Sequence, residues 1–118
     1  MFDHAHKRRH PPAQMFSPAI LYHEGRSFEV IISNISLSGL CFHSRRRLEI
    51  GETAELEVER KARSGTIEEG AQGTIVAIHK GGIIFPHGLE FTETLSLDRQ
   101  PVLYRYLESV GIASLSDR

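Results

Sequence analysis

The 118-residue chain has one cysteine, Cys41, and no tryptophan. One thiol excludes an internal disulfide and fits a reducing compartment. It stands in the apolar run Leu40-Cys41-Phe42, the setting of a buried, inert thiol. No apolar stretch reaches the length of a membrane span. The leading Met1-Phe2-Asp3-His4-Ala5-His6 lacks the hydrophobic centre of a secretory signal, so a cytoplasmic protein is expected. Charge of one sign is missing too: the formal net charge is −1, which argues against a general nucleic-acid binder and confines any anion site to a local cluster. No Ser/His/Asp or Cys/His arrangement has local support, and no glycine-rich loop precedes a helix, so no enzyme is expected. His4, His6 and His10 cluster near the start without a CxxC or a helical HxxxH, and nothing there would orient their imidazoles, so no metal site is expected.

What the chain does have is short apolar runs punctuated by turn residues. Residues 1–13 read as a basic, flexible arm, stiffened at its end by Pro11-Pro12. Strands are expected over residues 15–22, 28–33, 40–43, 53–59, 71–80 and 83–91. Pro18 inside the first suggests an edge or a bulge. Ala54, Leu56 and Val58 alternate with Glu55, Glu57 and Glu59, the period of a half-buried strand with an acidic outer face. Residues 61–70 read as a polar loop, and Gly81-Gly82 as a tight hairpin. Pro86-His87-Gly88 should bulge the last strand or leave it near an edge. His23, His43, His79 and His87 read as ordinary rim residues. Beyond residue 95 the period changes. Leu103, Tyr106, Leu107 and Val110 form one face of a helix, with Asp98 as its N-cap, Pro101 in the first turn and Gly111 as its stop. Six closely spaced strands and one helix imply an all-β fold: a six-stranded antiparallel barrel over residues 14–95, with a C-terminal helix over 96–111 packed on it.

Two polar stretches are left over. Asn34-Ile35-Ser36-Leu37-Ser38-Gly39 is a turn between two apolar runs, carrying an amide, two hydroxyls and a glycine on a short frame. These groups suit the edge of a flat polar ligand, and they are also the commonest turn formers. Lys7-Arg8-Arg9-His10-Pro11-Pro12 presents cations at the entry to the first strand. An arginine fork can grip a phosphate or the O6/N7 edge of guanine. Arg45-Arg46-Arg47 reads as a charged turn after a strand.

Together these stretches resemble the PilZ domains, bacterial receptors for cyclic di-GMP. Asn34-x-Ser36-x-x-Gly39 matches their [D/N]xSxxG motif, and Lys7-Arg8-Arg9-His10-Pro11 is similar to their arginine segment. Ile50-Gly51-Glu52 and His87-Gly88-Leu89-Glu90-Phe91 resemble later segments of the family. The family's arginine motif is RxxxR. Arg8 fits its first position, and Pro12 occupies the second. The resemblance implies a cyclic di-GMP site in which Arg8, helped by Arg9, meets phosphate or a guanine edge. Asn34 and Ser36 would hydrogen-bond a base, and Gly39 would permit the turn. It further implies a protein partner downstream. The substitution at Pro12 implies an alternative, an adaptor that works through protein contacts without nucleotide.

Overall fold

The structure is a computed structural model that describes residues 10–62 and 65–111. Six strands close into an antiparallel barrel: β1 (Ala13–His23), β2 (Arg26–Ile35), β3 (Gly39–Ser44), β4 (Thr53–Ala62), β5 (Gly65–Ile78) and β6 (Phe85–Phe91), in the order β1-β2-β3-β6-β5-β4. One helix follows, α1 (Pro101–Ser109). Alternation decides what enters the barrel. Ala54, Leu56 and Val58 of β4 point inward, where they meet Leu21, Ile32, Phe42, Ile75 and Leu89. Burying each large side chain contributes about 1.5–3 kcal/mol.

Pro18 lies where a missing N–H does least harm. β1 pairs with β4 only over Ala19 to Tyr22, so Pro18 has a ladder partner on the β2 side alone, and β1 bulges just before it, between Gln14 and Ser17. Past that point no β1–β4 pairing is seen among the described residues, and α1 is tied to β5 and to β1. At one side Glu69 of β5 accepts hydrogen bonds from the amides of Val102 and Leu103. At the other, the Tyr106 hydroxyl donates to the Gln14 carbonyl at 2.5 Å.

Several expectations need correction. The supposed loop at residues 61–70 is mostly strand: Thr66 to Gly70 pair in register with Lys61 to Glu57. The apolar period disappears there because an inward position is held by Glu69, which is buried and bound to the helix. Gly81-Gly82 sits inside a longer connection between Ile78 and Phe85, closed by His79 N–H on Pro86 O (2.9 Å) and Ile84 N–H on Gly81 O (3.0 Å). Pro86-His87-Gly88 neither breaks β6 nor marks an edge, since β6 pairs on both sides. The bulge falls on β5, between Ile75 and Ala77.

His87 is no rim residue. It is fully buried and stacks on Phe42, with ring centroids 4.8 Å apart. Its Nε2 accepts the Leu48 amide at 3.0 Å and its Nδ1 faces the Phe85 carbonyl at 2.8 Å. Both contacts are satisfied only by the neutral imidazole with the proton on Nδ1. Burial, the largest influence, holds its pKa below the ordinary value of 6.5.

The helix is capped from outside its own sequence. Its N-cap is Gln100, not Asp98, and makes no side-chain capping bond. Pro101 needs no partner for a nitrogen without hydrogen, and the next two amides go to Glu69. Ser96 and Gln100 clasp the preceding turn: the Ser96 amide donates to Gln100 Oε1 at 3.0 Å and the Gln100 amide to Ser96 O at 2.8 Å. The buried face is Leu103, Tyr104 and Leu107. Val110 falls at the C-cap and stays exposed, because the helix ends before it and Gly111 follows with φ +77°.

Candidate functional site

Asn34 owes its direction to a bulge. Val30, Ile32 and Ile35 are buried, so the inward phase of β2 skips a residue between Ile32 and Ile35. The pairing with β3 slips at the same place, between Ile32 and Asn34. A bulge lets two successive residues share one face, and Ser33 and Asn34 both turn to the outer wall, where each is half-buried. Among the described residues the Asn34 side chain has no hydrogen-bond partner. Across from it stand Gln14 of β1 and Cys41 of β3. Cys41 is buried, as expected, at 5% exposure, yet it lies outside the hydrophobic core cluster.

The Ser36 hydroxyl works inside the turn. It accepts the amides of Ser38 at 3.1 Å and Gly39 at 3.2 Å, and lies 3.3 Å from the Gly39 carbonyl. The Ser36 amide closes the turn onto the same carbonyl at 2.8 Å. At 1% exposure this oxygen is sealed from solvent. Leu37, an apolar residue at the tip of a polar turn, drops into the core and accepts the Leu95 amide at 2.8 Å, while Ser38 O accepts the Phe91 amide at 2.8 Å. The turn is thereby fastened to β6 and to the segment leading into α1. Its only sequence signal was one leucine among polar neighbours.

Gly39 is required for a reason other than the turn. Its φ is not among the positive values in the chain. A Cβ at Gly39 would lie 2.4 Å from the backbone oxygen of Leu89. The close approach of β6 therefore excludes a side chain.

Register brings the two polar stretches to one end of the barrel. Ala13 pairs with Ile35 and Gln14 with Asn34. The chain thus enters β1 directly across from the Asn34 bend. Arg8 and Arg9 lie outside the described residues. They precede Ala13 by five and four positions, a span of at most roughly 18 Å. His10 is described and half-buried, and its Nδ1 is sealed from solvent without a partner among the described residues. Arg45, Arg46 and Arg47 follow the far end of β3, roughly 17 Å along the strand from Gly39. There Arg46 lies over the Phe28 ring at 5.5 Å and Arg47 contacts Glu49 at 3.1 Å.

Of the clustered histidines, His4 and His6 lie outside the described residues. Ligating atoms of His23, Glu24 and Glu52 come within 4.8 Å of one another at the opposite end of the barrel. Two of the three already have partners: His23 Nε2 is 3.2 Å from Glu52 Oε2, and Glu52 Oε1 accepts the Glu49 amide at 2.8 Å.

The family model of the PilZ domain matches residues 5–109, which takes in the arm, the bend, the barrel and the helix. The chain belongs to the PilZ domain family. No curated protein sequence matches it. Among solved structures, the PilZ fold seen here is similar to that of the Bacillus subtilis inhibitor of motility MotI/DgrA, with TM-score 0.71, 16% identity, and 89% of this chain and 51% of that one covered. It is similar to Borreliella burgdorferi PlzA, solved in complex with c-di-GMP, with TM-score 0.55, 10% identity and coverage of 88% and 54%. It is also similar to the PilZ domain of Escherichia coli YcgR, solved with c-di-GMP, with TM-score 0.58, 16% identity and coverage of 89% and 92%. The chain spans about half the length of MotI and PlzA. Among the described residues no helix is long and apolar enough to cross a membrane.

Proposed function

We propose that this PilZ domain is a receptor for cyclic di-GMP, bound on the outer wall where β1 enters beside Asn34, and that it passes the signal to a protein partner. The observation that supports this reading is the register of β1 on β2, with Gln14 opposite Asn34, which sets the start of β1, where the cationic leader joins, beside the outward amide. Asn34 offers a carbonyl and an amide group to a guanine edge. Arg8, helped by Arg9, meets phosphate or the second edge. Ser36 acts by holding the bend, since its hydroxyl already serves two amides; a direct contact with a base would require the turn to open. Gly39 lets β3 close against β6 at that bend. Ligand docks the arm on the barrel, and that change of order is what the partner reads. Tyr106 ties α1 to Gln14, so the helix feels a shift of the arm.

Calorimetric titration with cyclic di-GMP tests this. Saturable heat is expected from the full chain, and none from a variant with both Arg8 and Arg9 replaced by alanine. Absence of heat from the full chain, at ligand far above protein, would overturn it. The residue at position 12 favours a second reading, an adaptor without nucleotide, because proline stands where the family motif has its second arginine. Pro12→Arg separates the two. If only the variant binds, the natural chain is an adaptor on a receptor scaffold.

A further inference from the structure

Two bulges meet on the outer wall beside Asn34. The β1–β2 pairing slips between Gln14 and Ser17, and the β2–β3 pairing between Ile32 and Asn34. The first slip contains Phe16. Ala13, Met15, Ser17, Ala19 and Leu21 are all buried, so the inward phase of β1 runs through the bulge unbroken and Phe16 points outward. Its ring is 72% exposed. Pro18 follows on the same face, and across from Pro18 stands Ile31, itself 48% exposed. This small apolar floor ends at the Ser33 hydroxyl and the Asn34 amide, side chains that the second bulge turns outward.

An apolar surface bordered by an amide has a definite chemical match. A nucleobase offers an apolar face for stacking and a polar edge for hydrogen bonds, and an aromatic ring is its usual platform. Phe16 lies two residues beyond Gln14, the partner of Asn34, on the same outer face, so a base resting on Phe16 can turn its edge to Asn34.

We propose that Phe16 is the stacking platform for one guanine of the bound dinucleotide. This rests on the reading of the site as a cyclic di-GMP receptor. The apolar floor takes the face of the base and Asn34 takes its edge.

The test compares the full chain with Phe16→Ala, Phe16→Leu and Phe16→Tyr by calorimetry, and follows the guanine H8 resonance of cyclic di-GMP by NMR. Expected are an upfield ring-current shift of H8 with the natural chain and with Phe16→Tyr, and its loss with Phe16→Leu. Affinity should fall roughly tenfold or more in Phe16→Ala. Phe16 is exposed, so circular dichroism and the melting temperature should be unchanged, which keeps a folding defect out of the result. If the natural chain binds and Phe16→Ala binds equally, the platform is overturned while the receptor reading stands. If the natural chain does not bind, both fall together.

Discussion

Glu69 holds Leu103 from 34 residues away: its Oε1 accepts the Leu103 amide at 2.9 Å, while Oε2 takes that of Val102 at 2.7 Å. A strand thus supplies the cap that the helix lacks in its own sequence. A carboxylate at a helix N-terminus satisfies orphan amides and also meets the positive end of the helix dipole. With the Tyr106 hydroxyl on the Gln14 carbonyl, the helix is fixed at two points of the barrel, and the second adjoins Asn34.

Glu69→Ala removes the cap and leaves two amides without their acceptor. The expected loss is about 1–3 kcal/mol of unfolding free energy, read by urea denaturation. Glu69→Gln keeps an oxygen acceptor and should lose less. Equal stability of the natural chain and Glu69→Ala would show that the cap carries no weight.

Gly39→Ala places a methyl against the Leu89 carbonyl, a backbone atom that moves only with its strand. Overpacking of this kind costs about 1–3 kcal/mol, seen as a lower melting temperature. Gly70→Ala is the control in a strand of the same barrel. Its added Cβ would have nothing nearer than 3.6 Å, and its effect should be small.

Asn34→Ala and Ser36→Ala should separate in two measurements. Asn34 has no partner to lose among the described residues, so its replacement should weaken cyclic di-GMP binding and leave the melting temperature alone. Ser36→Ala strips two amides of their acceptor and should lower stability by about 1–2 kcal/mol along with affinity. Pro12→Arg should strengthen binding roughly ten- to hundredfold by adding a charge-assisted contact. Calorimetry and thermal melts check all three.

His87 gives stability a dependence on pH. Its folded pKa lies below the unfolded value, so between the two the unfolded chain binds more protons. Its contribution is therefore complete above the unfolded value of 6.5 and is lost as pH falls from there through the folded value. His87→Gln cannot titrate. Between about pH 7.5 and about pH 5.5, urea unfolding should show the natural chain losing more stability than the variant. Parallel curves would mean that the buried imidazole is not a source of the acid sensitivity.

The sequence by itself determined the barrel, its six strands and the closing helix, because two-residue alternation and turn residues are local signals and most of them agreed. It also marked Asn34, Ser36 and Gly39, since a hydrogen-bonding bend between apolar runs is written in adjacent residues. Tertiary structure alone decided the rest. Glu69 read as part of a polar loop until the helix arrived to use it, and His87 looked like a rim residue until Leu48 and Phe42 enclosed it. Gly39 answers to Leu89, a neighbour 50 positions away that no local pattern could reveal. The outward turn of Asn34 depends on a bulge, which is a slip between two strands and so exists only once they have paired.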